Sequence, residues 1–357
     1  MIRRRAGHGP IGLDIGTRDV AAVQLKLGPG EPTVLAAALI GRNAAASTAV
    51  LSQEEAGRIE AVLYRQGFQG PLVATGVPDD LLLSAILELP PRSSGAPLDQ
   101  LARLELARTN KQEPEAIESG CWEIPAPARS TETSHMMAAG CTHEVADSVL
   151  NPLEGAGFRV SALDARSWAL ARAVSAGHRG HMTGISAVLD IGDGGALLTM
   201  LHGETPVYRR FMPDAGMEGL RNRVMQKLRL DAETTRYAVQ ALLDSKANEP
   251  GDSGPGVDKE ALTLFDEHVG MMRAEMAGAA EYVGHRYPPG LQRAFVCGSI
   301  GEATGLIRSL ETQLGVSITR GHAGLVAASS TTLAGVANDP RLFAAVGLAL
   351  TGQRSAA

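Results

Sequence analysis

Two aspartates in matching surroundings are the residues of this chain best placed to do chemistry. Asp14 sits in Ile11-Gly12-Leu13-Asp14-Ile15-Gly16 and Asp190 in Val188-Leu189-Asp190-Ile191-Gly192, each closing an apolar run that a second apolar run follows. A strand that ends in Asp-x-Gly and returns as a hairpin leaves backbone N–H groups at its tip to cradle phosphate oxygens, while the carboxylate holds Mg2+ through water. Gly16 and Gly192 let the backbone approach phosphate where a side chain would block the turn, and Thr17, Gly194 and Gly195 extend the two tips. One such turn is ordinary hairpin chemistry, since Asp and Gly serve turns for their own reasons. Two copies at the heads of two half-chains, with a later strand and glycine turn from Phe295 through Gly298 and Ser299 to Gly301, fit a two-lobed clamp around a nucleotide. Asp14 and Asp190 are then expected to face each other across one cleft, with Gly298 as its third wall.

The elements that must position these turns follow from periodicity. Residues 11–16 and 20–27 read as a hairpin, 33–40 as a third strand, 54–66 as a helix with Ile59, Val62 and Leu63 on one side, and 72–77 as a strand. Three strands, a helix and a strand are unlike the alternation of a dinucleotide fold. From Pro78 the pattern changes to a small α+β insert, with a helix over 97–108, short strands at 122–124 and 135–141, and a helix over 144–153. A strand at 160–164 and a helix over 168–175 lead back, and the opening device repeats at 185–192, 196–202 and 207–212. Helices over 217–230, 232–245 and 260–282, a strand at 293–297 and a helix over 304–314 complete the pattern. The Gly/Pro/Asp/Ser-rich stretch 246–257 reads as a mobile loop.

Composition narrows the function classes. The 357 residues are 44% hydrophobic and 20% charged with a net charge of −6, which suits a globular chain and lacks the basic field that nucleic acid requires. No run reaches the ~18 apolar residues of a spanning helix, and the basic Arg3-Arg4-Arg5 start lacks the apolar core of a signal peptide. Three distant cysteines, Cys121, Cys141 and Cys297, match no disulfide framework, so a cytoplasmic setting is expected. Cys141-x-His143 has no Cys-x-x-Cys partner for zinc, and Trp122, Trp168 and the Met271, Met272 and Met276 group read as packing.

The chain resembles the actin-like ATPase superfamily and, within it, the PilM type of type IV pilus assembly protein, a relative of the division protein FtsA. The likeness runs from Gly12-Leu13-Asp14-Ile15-Gly16 through Leu150 to Ala173, Leu189-Asp190-Ile191-Gly192 and Ala215-Gly216-Met217-Glu218. It ends with Phe295 to Leu306 and the closing helix from Asp339 to Leu350. Departures matter as much. The lysine of the family's first phosphate turn is Ala21 here, and its second-turn hydroxyls are replaced by Asp193-Gly194-Gly195-Ala196, where Asp193 would repel phosphate. The acidic residue two positions after the connecting Asp164 is Arg166, and the Gly-Gly of the adenosine turn is Gly298-Ser299.

The resemblance implies an α/β, actin-like (ribonuclease H-like) two-lobed fold with duplicated mixed sheets and a small α+β insert domain. Residues 8–77 plus 155–180 would form the first lobe, 78–154 the insert and 181–357 the second lobe. ATP and Mg2+ would bind weakly or not at all, with Asp14, Gly16, Thr17, Asp190, Gly192, Gly194, Gly195, Gly298 and Ser299 around the nucleotide and Asp14 and Asp190 holding Mg2+ through water. Asp14, Asp190 and Asp164 are the candidate catalytic carboxylates of a degraded site, since phosphoryl transfer rests on positioning and charge stabilisation. The implied role is a cytoplasmic scaffold on the inner face of a bacterial membrane, binding the cytoplasmic tail of a PilN-like partner between the first lobe and the insert. The short insert strands at 122–124 and 135–141 would offer that peptide an edge. A sugar or acyl-phosphate kinase, with Asp164 as base, and an FtsA-like division protein are the alternatives.

Overall fold

The computed structural model describes residues 7–28, 30–42, 48–126, 133–178, 183–245, 259–299 and 304–352. Arg3 to Arg5, the stretch 246–257 and the Ile300-Gly301 end of the third turn lie outside them.

The first lobe opens with an antiparallel meander, β1 (Gly7–Ile15), β2 (Asp19–Leu27) and β3 (Thr33–Gly41), followed by α1 (Gln53–Arg65) and β4 (Leu72–Val77). A three-stranded insert follows, made of β5 (Leu83–Leu89), α2 (Leu98–Thr109), β6 (Ile117–Glu123) and β7 (Ser134–Thr142). The chain returns through α3 (His143–Gly155), β8 (Arg159–Ala165) and α4 (Arg166–Gly177). The second lobe repeats the meander as β9 (Ile185–Ile191), β10 (Ala196–His202) and β11 (Thr205–Met212). It continues with α5 (Met217–Leu228), α6 (Ala232–Ser245), α7 (Lys259–Arg286), β12 (Leu291–Gly298), α8 (Thr304–Leu314) and β13 (Ile318–Arg320). Two single-turn helices, α9 (Ala323–Val326) and α10 (Ala334–Ala337), lead to α11 (Phe343–Ala349).

The two large sheets have the same order, β3-β2-β1-β4-β8 and β11-β10-β9-β12-β13. In each, the strand that carries the aspartate lies in the middle, antiparallel to its hairpin partner and parallel to the strand on its other side. All seven residues of β9 are buried, as expected of a central strand covered on both faces. Between the sheets, α4 and α11 share a core with Val23, Leu25, Val188, Leu197 and Phe295.

The tertiary packing of two helices departs from the sequence-based boundaries. Val149 and Leu153 of α3 join Ile59, Leu63 and Phe68 in the first-lobe core, so this helix, counted with the insert by its place in the sequence, packs on the first lobe. The C-terminal α11, assigned to the second lobe, lies on β1: a side-chain carbon at Gly12 would fall 1.9 Å from the Ala345 carbonyl oxygen, and one at Gly347 would fall 1.9 Å from that of Ala169. The small residues of Phe343-Ala344-Ala345-Val346-Gly347-Leu348-Ala349 are therefore what backbone-to-backbone packing of a helix on a strand requires.

Candidate functional site

The turns after β1 and β9 meet in one cleft of about 310 Å3 that Asp14, Gly16, Thr17, Asp190, Gly192, Gly194, Gly195, Gly298 and Ser299 all line. Register explains why. Asp14 pairs with Ala21, so the position where related phosphate turns carry a lysine faces the cleft. Asp190 lies beside Cys297 and Ile191 beside Gly298, which brings the third turn to the second. Gly298 has φ +86°, and a side-chain carbon there would lie 2.3 Å from Ile191 O and 2.6 Å from Asp190 Oδ1; only glycine fits that corner.

Asp164 does not join them. Its carboxylate accepts from Arg172 and from the Ala165 amide, and Arg172 also donates to Gly347 O, 3.0 Å away. Arg172 thus fastens α4 to both β8 and α11, and its partner Asp164 is not among the residues that line the cleft.

The centre of the cleft is held by Arg166, the first residue of α4. Its Nη1 donates to Asp14 Oδ1 and its Nε to Asp190 Oδ2, each at 2.6 Å, and Asp79 Oδ2 lies 4.0 Å from Nε. Asp79 in turn accepts from Arg209 of β11 at 2.6 Å. Two arginines thus tie carboxylates of the first-lobe side to the second lobe. Asp14 is 8% exposed and Asp190 3%. Burial pushes the Asp14 carboxyl up to about 7 against the pull of Arg166, with Asp190, Asp79 and Asp19 adding to the rise. Burial opposes the charge of Arg166, yet Asp14, Asp190 and Asp79 hold its pKa well above the ordinary value.

Around this centre, supporting contacts fix each turn. Arg42, whose side chain is 1% exposed, donates to Gly16 O at 2.8 Å and pairs with Glu55 at 2.9 Å, so α1 anchors the first turn. In the second turn, Met217 and Glu218 at the start of α5 donate their amides to Gly192 O and Asp193 O. Asp193, expected to repel phosphate, is paired with Arg221 of α5. Arg341 spans Asp339, at 2.6 Å, and Asp19, at 3.4 Å.

The residues present do not fit a divalent cation between Asp14 and Asp190. Arg166 already takes an oxygen of each, and a dication about 4 Å from its guanidinium would meet ~8 kcal/mol of repulsion at an effective dielectric near 20. For a nucleotide the signs are mixed. Thr17 Oγ1 is buried without a hydrogen-bond partner and would serve a phosphate oxygen. The walls also carry Asp19, Asp80 and Glu218, which oppose one. The Gly16 and Gly192 amides are spent within their own turns, on Asp19 O and Gly195 O.

Sequence reading found the two aspartates and noted the Arg166 substitution, but missed Asp79, Arg209, Arg42 and Arg221. The Pro78-Asp79-Asp80 acidic pair after a strand was a usable signal for the first; the others are partners known only through tertiary contact. In the insert, His135 lies 3.8 Å from Glu88 and His143 4.0 Å from Glu118, and among the described residues no three His, Cys, Asp or Glu side chains are grouped to hold a metal. The strand over 134–142 is the middle one of order β5-β7-β6, so the expected edge at 135–141 is paired on both sides.

No family model matches the chain, and no curated protein matches its sequence. Among solved structures, it is similar to the PilM-PilN type IV pilus biogenesis complex, with a TM-score of 0.77 at 18% identity over 97% of this chain and 99% of that one. The ethanolamine utilization protein EutJ from Carboxydothermus hydrogenoformans gives 0.54 at 15% identity, covering 98% and 92%. MreB 5 of Spiroplasma citri bound to AMPPNP gives 0.52 at 12% identity, covering 98% and 97%. With its duplicated sheets and paired Asp-x-Gly turns, the chain has the actin-like fold, here in a form similar over 97% of its length to the PilM-PilN structure.

Proposed function

We propose that this chain is a PilM-like scaffold of a type IV pilus or related secretion machine, bound at the cytoplasmic face of the membrane to the tail of a PilN-like protein. The observation that supports it most is the likeness to the PilM-PilN structure, which takes in 97% of the chain, insert included. None of the described helices is long and apolar enough to cross a membrane, so attachment is assigned to the partner. The cleft is a degraded catalytic site that holds ATP weakly and does not turn it over, because Arg166 engages both candidate carboxylates.

A kinase reading loses its base once Asp164 is fastened to Arg172. For the partner, strand addition to the insert falls to one of its two outer strands, β5 or β6; Trp122 packs the end of β6, where an edge was expected, against the second lobe, and β5, where Ile86 is exposed, is the strand we assign to the peptide. The test is an anisotropy titration of a labelled peptide, taken from the cytoplasmic tail of a PilN-like protein of the same organism, with the full chain and with Ile86→Asp. Binding that Ile86→Asp weakens at least about tenfold is expected, the loss of one anchoring contact. Equal affinity moves the groove elsewhere; no binding by the unaltered chain overturns the scaffold reading.

A further inference from the structure

The placement of Arg166 carries one step more. A cation at the first position of a helix is poorly placed with respect to the helix dipole, and Ala165 before it supplies no side-chain cap. The residue is nevertheless directed into the cleft, where one guanidinium makes two separate 2.6 Å bonds, one to the carboxylate closing β1 and one to that closing β9. These aspartates belong to different lobes and are 176 positions apart in the chain, from 14 to 190. A single positive centre shared by two opposed carboxylates is the arrangement that a bound dication would otherwise create. Arg209 on Asp79, which itself lies 4.0 Å from Arg166, adds a second ion pair that joins the second lobe to the first-lobe side.

We infer that Arg166 is a built-in replacement for a divalent cation: it draws Asp14 and Asp190 together across the cleft, so the lobes close without metal and any polyphosphate that enters does so free of Mg2+. This rests on the reading of the cleft as the phosphate site of the fold. Removing the guanidinium leaves two buried carboxylates facing each other, an arrangement that favours either a proton or a cation between them. Arg166→Ala therefore creates a metal site that the unaltered protein lacks.

The experiment is a titration with Mn2+, read by the electron paramagnetic resonance of the free ion, on the full chain, Arg166→Ala, and Arg166→Ala combined with Asp14→Asn. Expected are no stoichiometric site in the unaltered chain, a single site in Arg166→Ala at least about tenfold tighter than any binding by the unaltered chain, and loss of that site in the double variant. One tight Mn2+ in the unaltered chain that Asp14→Asn removes overturns the inference, as does a folded Arg166→Ala that binds Mn2+ no better. Should Arg166→Ala lose its native circular dichroism, Arg166→Gln takes its place: its neutral amide keeps polar bulk in the cleft without the charge that excludes a dication, and failure to gain Mn2+ affinity counts against the inference in the same way. Peptide capture by the unaltered chain is read separately, so its failure sinks the scaffold reading and leaves the Mn2+ result standing.

Discussion

Trp122 at the end of β6 meets Trp168 in the first turn of α4 edge-on, with ring centroids 5.0 Å apart and planes at 65°. The Trp122 indole N–H also donates to Pro206 O of β11 at 3.2 Å. One side chain therefore joins the insert, the helix between the lobes and the second lobe. Ile124 and Met137 of the insert extend the contact by entering the second-lobe core. The insert is docked, and its orientation toward the cleft is set two residues from Arg166.

Trp122→Ala removes the aromatic pair and leaves Pro206 O without its donor. We expect a loss of ~2–4 kcal/mol in unfolding free energy, measured by urea denaturation. A change below about 0.5 kcal/mol, the range of ordinary surface substitutions, contradicts the docking role.

Gly347→Val tests the other seam. The helix backbone is in contact with Ala169 O, so a branched side chain forces α11 away from α4 and opens the shared core. The expected cost is at least ~3 kcal/mol, within the range of severe overpacking, or failure to give soluble protein. Gly335→Val, at a glycine with nothing within 4 Å of an added carbon, is the matched control and should cost far less, since valine's helix propensity is no worse than glycine's.

Much of this arrangement was legible because it is local. A hairpin turn is written in consecutive residues, so Asp14-Ile15-Gly16 and Asp190-Ile191-Gly192 point to their geometry directly, and their repetition points to two lobes. Arg166 was visible only as a missing acid. That its guanidinium reaches Asp14, 152 residues away, and Asp190, 24 residues away, depends on how α4 is seated between two sheets, which no spacing encodes. The same holds for α3 and α11: amphipathic patterning shows that each buries a face, and only the folded sheets decide against what. Strand 134–142 has no pattern in the sequence that separates a middle strand from an edge; its central place shows only in the fold, where Ser134 to Ala139 are all buried.

Steady-state ATP hydrolysis should stay at the level of a heat-inactivated control with Mg2+ present. Ala21 offers no cation to a phosphate and Arg166 engages the carboxylates that would organise a metal. Phosphate release clearly above the control and abolished by Asp14→Ala would show that the cleft is a working ATPase.

The last expectation concerns pH. His268 of α7 is fully buried, its Nδ1 meets Arg223 of α5, and Arg223 also donates to Asp214 O in the turn that precedes Gly216 and α5. Burial, reinforced by the Arg223 charge, holds the imidazole down at about 4, against an ordinary value of 6.5. Between those two values the unfolded chain binds a proton that the folded chain does not, so unfolding gains ground as pH falls. The stability that a neutral His268 contributes is complete above about 6.5 and is lost progressively toward 4. His268→Gln, neutral throughout, should lack this slope. Denaturant midpoints of the two proteins at pH 7.5 and pH 5 give the answer: the unaltered chain should lose more on acidification than the variant, by on the order of 1–2 kcal/mol. Equal losses would mean that the His268 imidazole takes up its proton in the fold as readily as in the unfolded chain, and that burial and Arg223 do not hold it neutral.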